Sequence, residues 1–288
     1  RRRTRIKRAL EQTIKDLEQF EKNDPVKFEQ AVAWYAEDIQ LTIDILNNET
    51  EFVRDHPVLF SALISITSNG QKVPEQLNNS ADIMLEYEKN VKLPVFDGMT
   101  KGNPEKGTLP KPKKVFKIDG REIGGIRNGL IGQHGDRLQY IIDKFGEDGA
   151  ESWLKAEHSG RDIVDLVKES GTGKSVDGIK LGGTYKGMRI FGRKVGNFGL
   201  SFWDITDEAV IDVWMTRWWN RHMGTPFMPN GDIAGNPRNP QEWQLMIDGV
   251  QAITDAYNSK AGTNYSVASI QALIWYTEKD FYERNDIN

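Results

Sequence analysis

Lys194 and Asp212 stand eighteen residues apart and are the two side chains best suited to covalent chemistry at an electrophilic carbon. A lysine amine is a nucleophile once burial or a nearby cation lowers its pKa, and with a carbonyl carbon it forms a Schiff base. A carboxylate at a helix start stabilises developing positive charge and accepts a proton, and the helix dipole helps keep it ionised. Around them lie Gly192-Arg193-Lys194-Val195-Gly196-Asn197 and, beyond Ile211-Asp212, Arg217, Asn220, Arg221 and Gly224. A glycine just ahead of a helix presents backbone N–H groups and a positive helix end, which hold a phosphate without reading sequence; Arg193 adds charge. Taken singly, Lys194 is a lysine in a first helical turn and Asp212 a plain N-cap, so only the joint spacing carries a functional reading.

Other chemistries lack their residues. The chain has no cysteine, which excludes disulfides, thiolate nucleophiles, iron–sulfur clusters and Cys-type zinc sites. Its four histidines, His56, His134, His158 and His222, have no i,i+4 partner or carboxylate at ligand spacing, so no metal or other cofactor is expected. Gly171-Thr172-Gly173-Lys174-Ser175 imitates the end of a phosphate-binding loop, but Lys168 stands where that loop needs glycine and a helical pattern precedes it. The net charge of −4 hides an asymmetry: Arg1, Arg2, Arg3, Arg5, Lys7 and Arg8 put six positive charges in the first eight residues. Such a cluster suits phosphates, although a solvated tail is the commoner meaning of a charge run.

The stretch from Gly192 resembles the helix-hairpin-helix DNA glycosylase superfamily, the endonuclease III type in particular. In that family a glycine-containing hairpin leads into a helix beginning Gly-Arg-Lys-Thr-Ala-Asn. The next helix begins Val-Asp-Thr-His, with Arg, Asn and Arg downstream. Gly192–Asn197, Ile211-Asp212, Arg217, Asn220 and Arg221 keep these intervals. Upstream, Phe60, Gln71 eleven residues later, and Asn78 fall where the family has a phenylalanine, the glutamine of a Leu-Ser-Ala-Gln turn and an asparagine. The match covers Pro57–Met84 and Arg189–Gly224, and the tail Glu242–Arg284 is similar in layout to uncharacterised phage proteins.

The resemblance implies that Lys194 attacks the sugar C1′, that Asp212 is its carboxylate partner, and that Gln71 fills the gap left by an extruded base. It implies DNA contacts for Gly192, Arg193, Gly196, Asn197, Arg217 and Arg221. Two departures stand out. The family hairpin reads Leu-Pro-Gly-Val-Gly-Arg-Lys, whereas Met188-Arg189-Ile190-Phe191-Gly192-Arg193-Lys194 lacks the first glycine, and Val195 and Trp214 replace the usual Thr and His. The iron–sulfur ligands are absent, as in some members.

Helices must position these residues. Apolar residues from Ile6 to Leu46 recur at three- and four-residue steps with a break at Asn23–Pro25, predicting two amphipathic helices. Pro57 opens another, the polar Thr67–Gln71 segment interrupts it, and Leu77–Tyr87 resumes the period. Helices are further predicted at Leu138–Phe145, Ala150–His158, Arg161–Val167, Val195–Trp203, Val213–His222, Pro240–Lys260 and Val267–Arg284. Trp203, Trp214, Trp218 and Trp219 read as core packing at helical spacing in preference to base stacking. Residues 91–122, rich in Pro and Gly and carrying Lys101, Lys106, Lys111, Lys113, Lys114 and Lys117, read as a loop-rich insertion with a short strand at Lys114–Ile118. It is expected to contact DNA or a partner without joining the core.

The expected fold is all-α and two-lobed, like a helix-hairpin-helix DNA glycosylase. Residues 1–55 would pack with a C-terminal lobe of residues 191–288, and residues 56–190 would form the middle lobe. Lys194 and Asp212 are expected on consecutive helices facing one cleft. The function implied is a DNA glycosylase, with or without lyase activity, acting on a damaged or modified base. Two rivals remain: a phage-type transferase that modifies a base without cutting the sugar bond, and a catalytically inactive DNA-binding or virion-associated protein. DNA is the expected partner. No segment is long and apolar enough to cross a bilayer, and the chemistry implies the cytoplasm, that of the host cell for a phage protein. Because the chain opens on Arg1, further residues are expected upstream.

Overall fold

The computed structural model describes residues 2–34, 50–68, 73–99, 109–123, 128–202, 208–225 and 235–285, with positions 41, 44, 48 and 233. In chain order the elements are α1 (Arg2–Asn23), α2 (Pro25–Ala33), α3 (Glu51–Asp55), α4 (Pro57–Thr67), α5 (Val73–Asn90), β1 (Val95–Met99), β2 (Pro112–Ile118), β3 (Arg121–Ile123), α6 (Asn128–Lys155), β4 (Glu157–Ser159), α7 (Gly160–Glu169), β5 (Thr184–Lys186), a 3₁₀ turn (Gly187–Phe191), α8 (Arg193–Ser201), α9 (Val213–His222), α10 (Pro240–Ala261) and α11 (Val267–Arg284). Eleven α-helices among the described residues, against two small antiparallel sheets, make the protein predominantly α. Internal contacts divide the chain into a terminal unit, residues 1–40 with 204–288, and a central unit, residues 41–203. The sequence reading drew its lines at 55/56 and 190/191; the division by contacts puts the helix that carries Lys194 in the central unit.

In the terminal unit, Asp24 ends the first helical run and starts the next: its side chain accepts from the Lys27 amide at 3.0 Å, and Pro25 occupies the first turn of α2. Asn239 and Pro240 open α10 in the same way, and Gly262, left-handed at φ 69°, closes it. The apolar faces of α1, α2, α9, α10 and α11 meet in a core that includes Leu17, Phe28, Trp218, Tyr257 and Ile270. The basic residues Arg3, Arg5, Lys7 and Arg8 are exposed on the first two turns of α1, so the cluster is a helical face and not a loose tail.

The central unit is built around α4, in which every residue from Val58 to Thr67 is buried. No local side chain caps this helix. Glu151 of α6 does so instead, accepting from the amides of Val58 at 2.5 Å and Leu59 at 3.0 Å. The two helices expected over residues 138–158 are both present: α6 is two helical runs that meet at a kink at Gly146, whose φ of 72° and ψ of 172° are not helical.

Residues 91–122 correct the insertion reading. β1, β2 and β3 form an antiparallel sheet in that order, with Val95 opposite Phe116 and Phe116 opposite Ile123. Val115 and Phe116 are both fully buried, and successive residues of a strand face opposite ways, so β2 is covered on both sides. Two of the lysines are held within the unit as well: Lys113 pairs with Glu122 at 3.1 Å and Lys114 with Asp97 at 3.1 Å. The strands of this segment contribute to the core, and replacing them with a linker would remove core residues. Residues 100–108 lie outside the described residues.

Candidate functional site

The approach to Lys194 runs from β5 through the 3₁₀ turn to Gly192 and α8. Gly192 has φ 91° and ψ 173°, a backbone shape that favours glycine, and no side chain caps the helix it opens. A Cβ added there would meet only Asp177, at 3.9 Å. The expected hairpin is corrected here. What precedes Gly192 is a strand and one 3₁₀ turn, and within residues 184–192 Gly192 alone has positive φ. Without the family's first glycine the chain turns left-handed once, while Met188, Ile190 and Phe191 are buried.

Lys194 is half-buried in the first turn of α8. Arg193 folds onto Gly178, where a Cβ would lie 2.4 Å from its Nε. At Gly196 a Cβ would fall 2.5 Å from the Met188 carbonyl oxygen and 2.8 Å from the Arg189 Cα, so α8 meets the 3₁₀ turn backbone to backbone. Asn197 is 2% exposed. Gly196 and Asn197 are thus packed into the central unit.

The sequence did not point to the residues that fasten this approach. Arg137 of α6, 4% exposed, donates from Nε to Thr172 Oγ1 at 2.9 Å, from Nη2 to the Thr172 carbonyl at 3.3 Å, and from Nη1 to the Ile190 carbonyl. Gln133 donates to the same Thr172 carbonyl at 2.6 Å, and His134 meets Phe191 edge to face. Burial lowers the Arg137 pKa to about 10, leaving it a cation at neutral pH, and burial lowers that of His134 to about 3, leaving it neutral. Among the described residues no carboxylate pairs with Arg137. Its hydrogen bonds join the Thr172 turn to the 3₁₀ turn two residues before Gly192. Thr172, in the segment that imitates a phosphate-binding loop, is thus an internal acceptor, and α7 is the element before it.

In the terminal unit Asp212 is the N-cap of α9: its Oδ1 accepts from the Met215 amide at 2.9 Å, and the residue is half-buried. Arg221 carries an ion pair. Its Nε lies 3.1 and 3.0 Å from the two oxygens of Glu278 and its Nη2 2.7 Å from one of them, while its guanidinium lies over Phe281 at 4.4 Å. Glu278 is 1% exposed; burial pushes its carboxyl above the ordinary range, against the pull of Arg221. Arg221, whose side chain is 29% exposed, is thus tied through Nε and Nη2 to a buried carboxylate. Asn220 is fully buried, its Oδ1 accepting from Thr225 and Arg238, each at 3.3 Å. Trp218 and Trp219 are core residues as expected, whereas Trp214 is half-buried and packs on Arg217.

Phe60 lies in the core of the central unit, and Asn78 is exposed on α5, in an open groove of about 600 Å³ with Asp82 and Arg121. Gln71 and Trp203 lie outside the described residues. Lys194 belongs to the central unit and Asp212 to the terminal one. Among the described residues no group of three or more His, Asp or Glu side chains could hold a metal ion, and no helix is long and apolar enough to cross a membrane. The chain matches no protein-family model, no curated protein and no solved structure.

Proposed function

We propose that the chain is a DNA N-glycosylase with lyase capacity, acting on a damaged or modified base. The observation that supports this is a pair of helix starts at the family interval. Lys194 sits one residue inside a helix that opens on the uncapped Gly192, and eighteen residues later Asp212 is itself the cap of the next described helix. In the reaction the neutral amine of Lys194 attacks C1′. The C1′–N bond breaks, and its electron pair leaves with the base, which takes up a proton. The carboxylate role, stabilising the positive sugar and accepting the proton that the amine loses, is the one that the resemblance gives Asp212. Ring opening gives a Schiff base, elimination expels the 3′ phosphate, and water then returns Lys194 to its amine.

Incubation with duplexes carrying modified bases or an abasic site, followed by borohydride reduction, tests the proposal. A covalent adduct together with base release supports it, and base release without an adduct reduces it to hydrolysis by water. The 3₁₀ turn in place of a glycine hairpin favours one rival, a DNA-binding protein without catalysis, and that rival predicts binding with neither product.

Binding is expected to depend on salt through the basic face of α1. Arg3, Arg5 and Arg8 replaced together by Gln keep the helix and lower the slope of log affinity against log salt, by about 0.9 for each cation that meets a phosphate. An unchanged slope, measured by fluorescence anisotropy, removes α1 from the interface.

A further inference from the structure

A groove of about 610 Å³ lies in the central unit, where the last turn of α5 meets the β1–β2 pair. Leu93, Pro94, Phe96 and Ile118 supply its apolar wall, and Lys92 and Lys117 stand beside them. Leu93 and Ile118 are buried, whereas Phe96 is half exposed. The strand register puts Phe96 and Lys117 on one face of the sheet: Phe96 is opposite Val115, and Lys117 is two residues on from Val115. The Lys117 amide donates to the Pro94 carbonyl at 3.0 Å, which brings Lys117 and Lys92 to the same end of the groove.

The charges of the groove do not cancel. Among the described residues the side chains of Lys92 and Lys117 make no hydrogen bond or ion pair. Of the two carboxylates that line the groove, Glu86 is taken up by Lys89 at 2.9 Å and by the Asn90 amide at 3.2 Å, and Asp119 is exposed. Counting Lys89, three ammonium groups stand against two carboxylates, which leaves one positive charge. The backbone of the rim is unusual as well. Val91, at φ 50°, and Asp119, at φ 49°, are the only non-glycine residues of positive φ among the described residues. Asp119 lines the groove, and Val91 lies between Asn90 and Lys92, which line it too. A β-branched residue is an outlier in that conformation, and strain of this kind gathers at ligand sites.

We propose that this groove binds an amphiphilic monoanion, a small molecule with an apolar body and one carboxylate head. The body lies along Pro94 and Phe96, and the head meets Lys92 and Lys117. The volume is that of small-molecule sites, which are mainly apolar with a few polar groups that orient the ligand. The lysine stems extend the apolar cover while their ammonium groups stay at the water boundary. The single surplus charge of the groove matches a single anionic head. The inference does not rest on the excision reading, and its test uses neither DNA nor catalysis.

Calorimetric titration of the full chain with decanoate, kept below micelle formation, is the test, with decylammonium as the probe of equal chain and opposite charge. Wild type is expected to take up decanoate saturably at one site and to bind decylammonium roughly tenfold more weakly. Phe96→Ala is expected to weaken decanoate roughly tenfold by removing the wall. Lys92→Gln combined with Lys117→Gln is expected to weaken decanoate to a similar degree without weakening decylammonium. All three side chains reach the surface, so both variants are expected to fold, which thermal unfolding checks; if one does not, the other decides. No saturable decanoate binding, equal binding of the two probes, or wild-type affinity in either variant overturns the site. A dimer in sedimentation that Phe96→Ala disperses, with no decanoate bound, overturns it too and gives the groove to a second copy of the chain.

Discussion

Gly132→Ala is expected to destabilise the central unit by about 3 kcal/mol and to lower the unfolding temperature by about 6–12 °C. A Cβ at Gly132 would lie 2.2 Å from the carbonyl carbon and oxygen of Lys114 and 2.4 Å from the Val115 amide nitrogen. All three are backbone atoms of the central strand of a sheet, so relief requires β2 to move as a whole. Gly135, one turn along α6, faces the Phe116 ring, whose Cζ would lie 2.2 Å from an added Cβ, so the two glycines make the groove in which the strand and its side chain lie. A Gly132→Ala protein that melts with the wild type would show that β2 does not pack on α6.

That groove also explains what the sequence left illegible. Helix ends were readable because their causes are local: Asp24 with Pro25, Asn239 with Pro240, and Ser266 ahead of Val267 each act within four residues. The run Lys113–Ile118 has lysines on both sides of Val115-Phe116 and no clean alternation, because β2 is covered on both faces and its lysines pair with Glu122, Asp97 and Asp136. The glycines that admit it lie at least fourteen residues further on, inside a helix, where a local pattern assigns them only a cost.

The candidate site divides the same way. That Lys194 and Asp212 begin helices followed from Gly192 and from the cap preference of aspartate. Arg137 was invisible because its acceptors lie 35 and 53 residues away, and the Arg221–Glu278 pair was invisible because its partners lie 57 residues apart.

Asp212→Asn is expected to lower base release by roughly a hundredfold or more while leaving stability nearly unchanged. Asparagine caps a helix about as well as aspartate, so the bond to the Met215 amide survives and only the charge is lost. Asp212→Ala removes both and should also destabilise by about 1 kcal/mol. Comparing the two separates catalysis from capping: equal activity in Asp212→Asn and wild type would leave Asp212 as a cap and nothing more.

Borohydride trapping on an abasic duplex, wild type beside Lys194→Gln, tests the central claim most directly. The account predicts a covalent adduct with wild type and none with Lys194→Gln, although the variant still binds the duplex. Equal adduct in both proteins would assign the chemistry to another amine, and a wild type that neither traps nor releases any base would contradict the account.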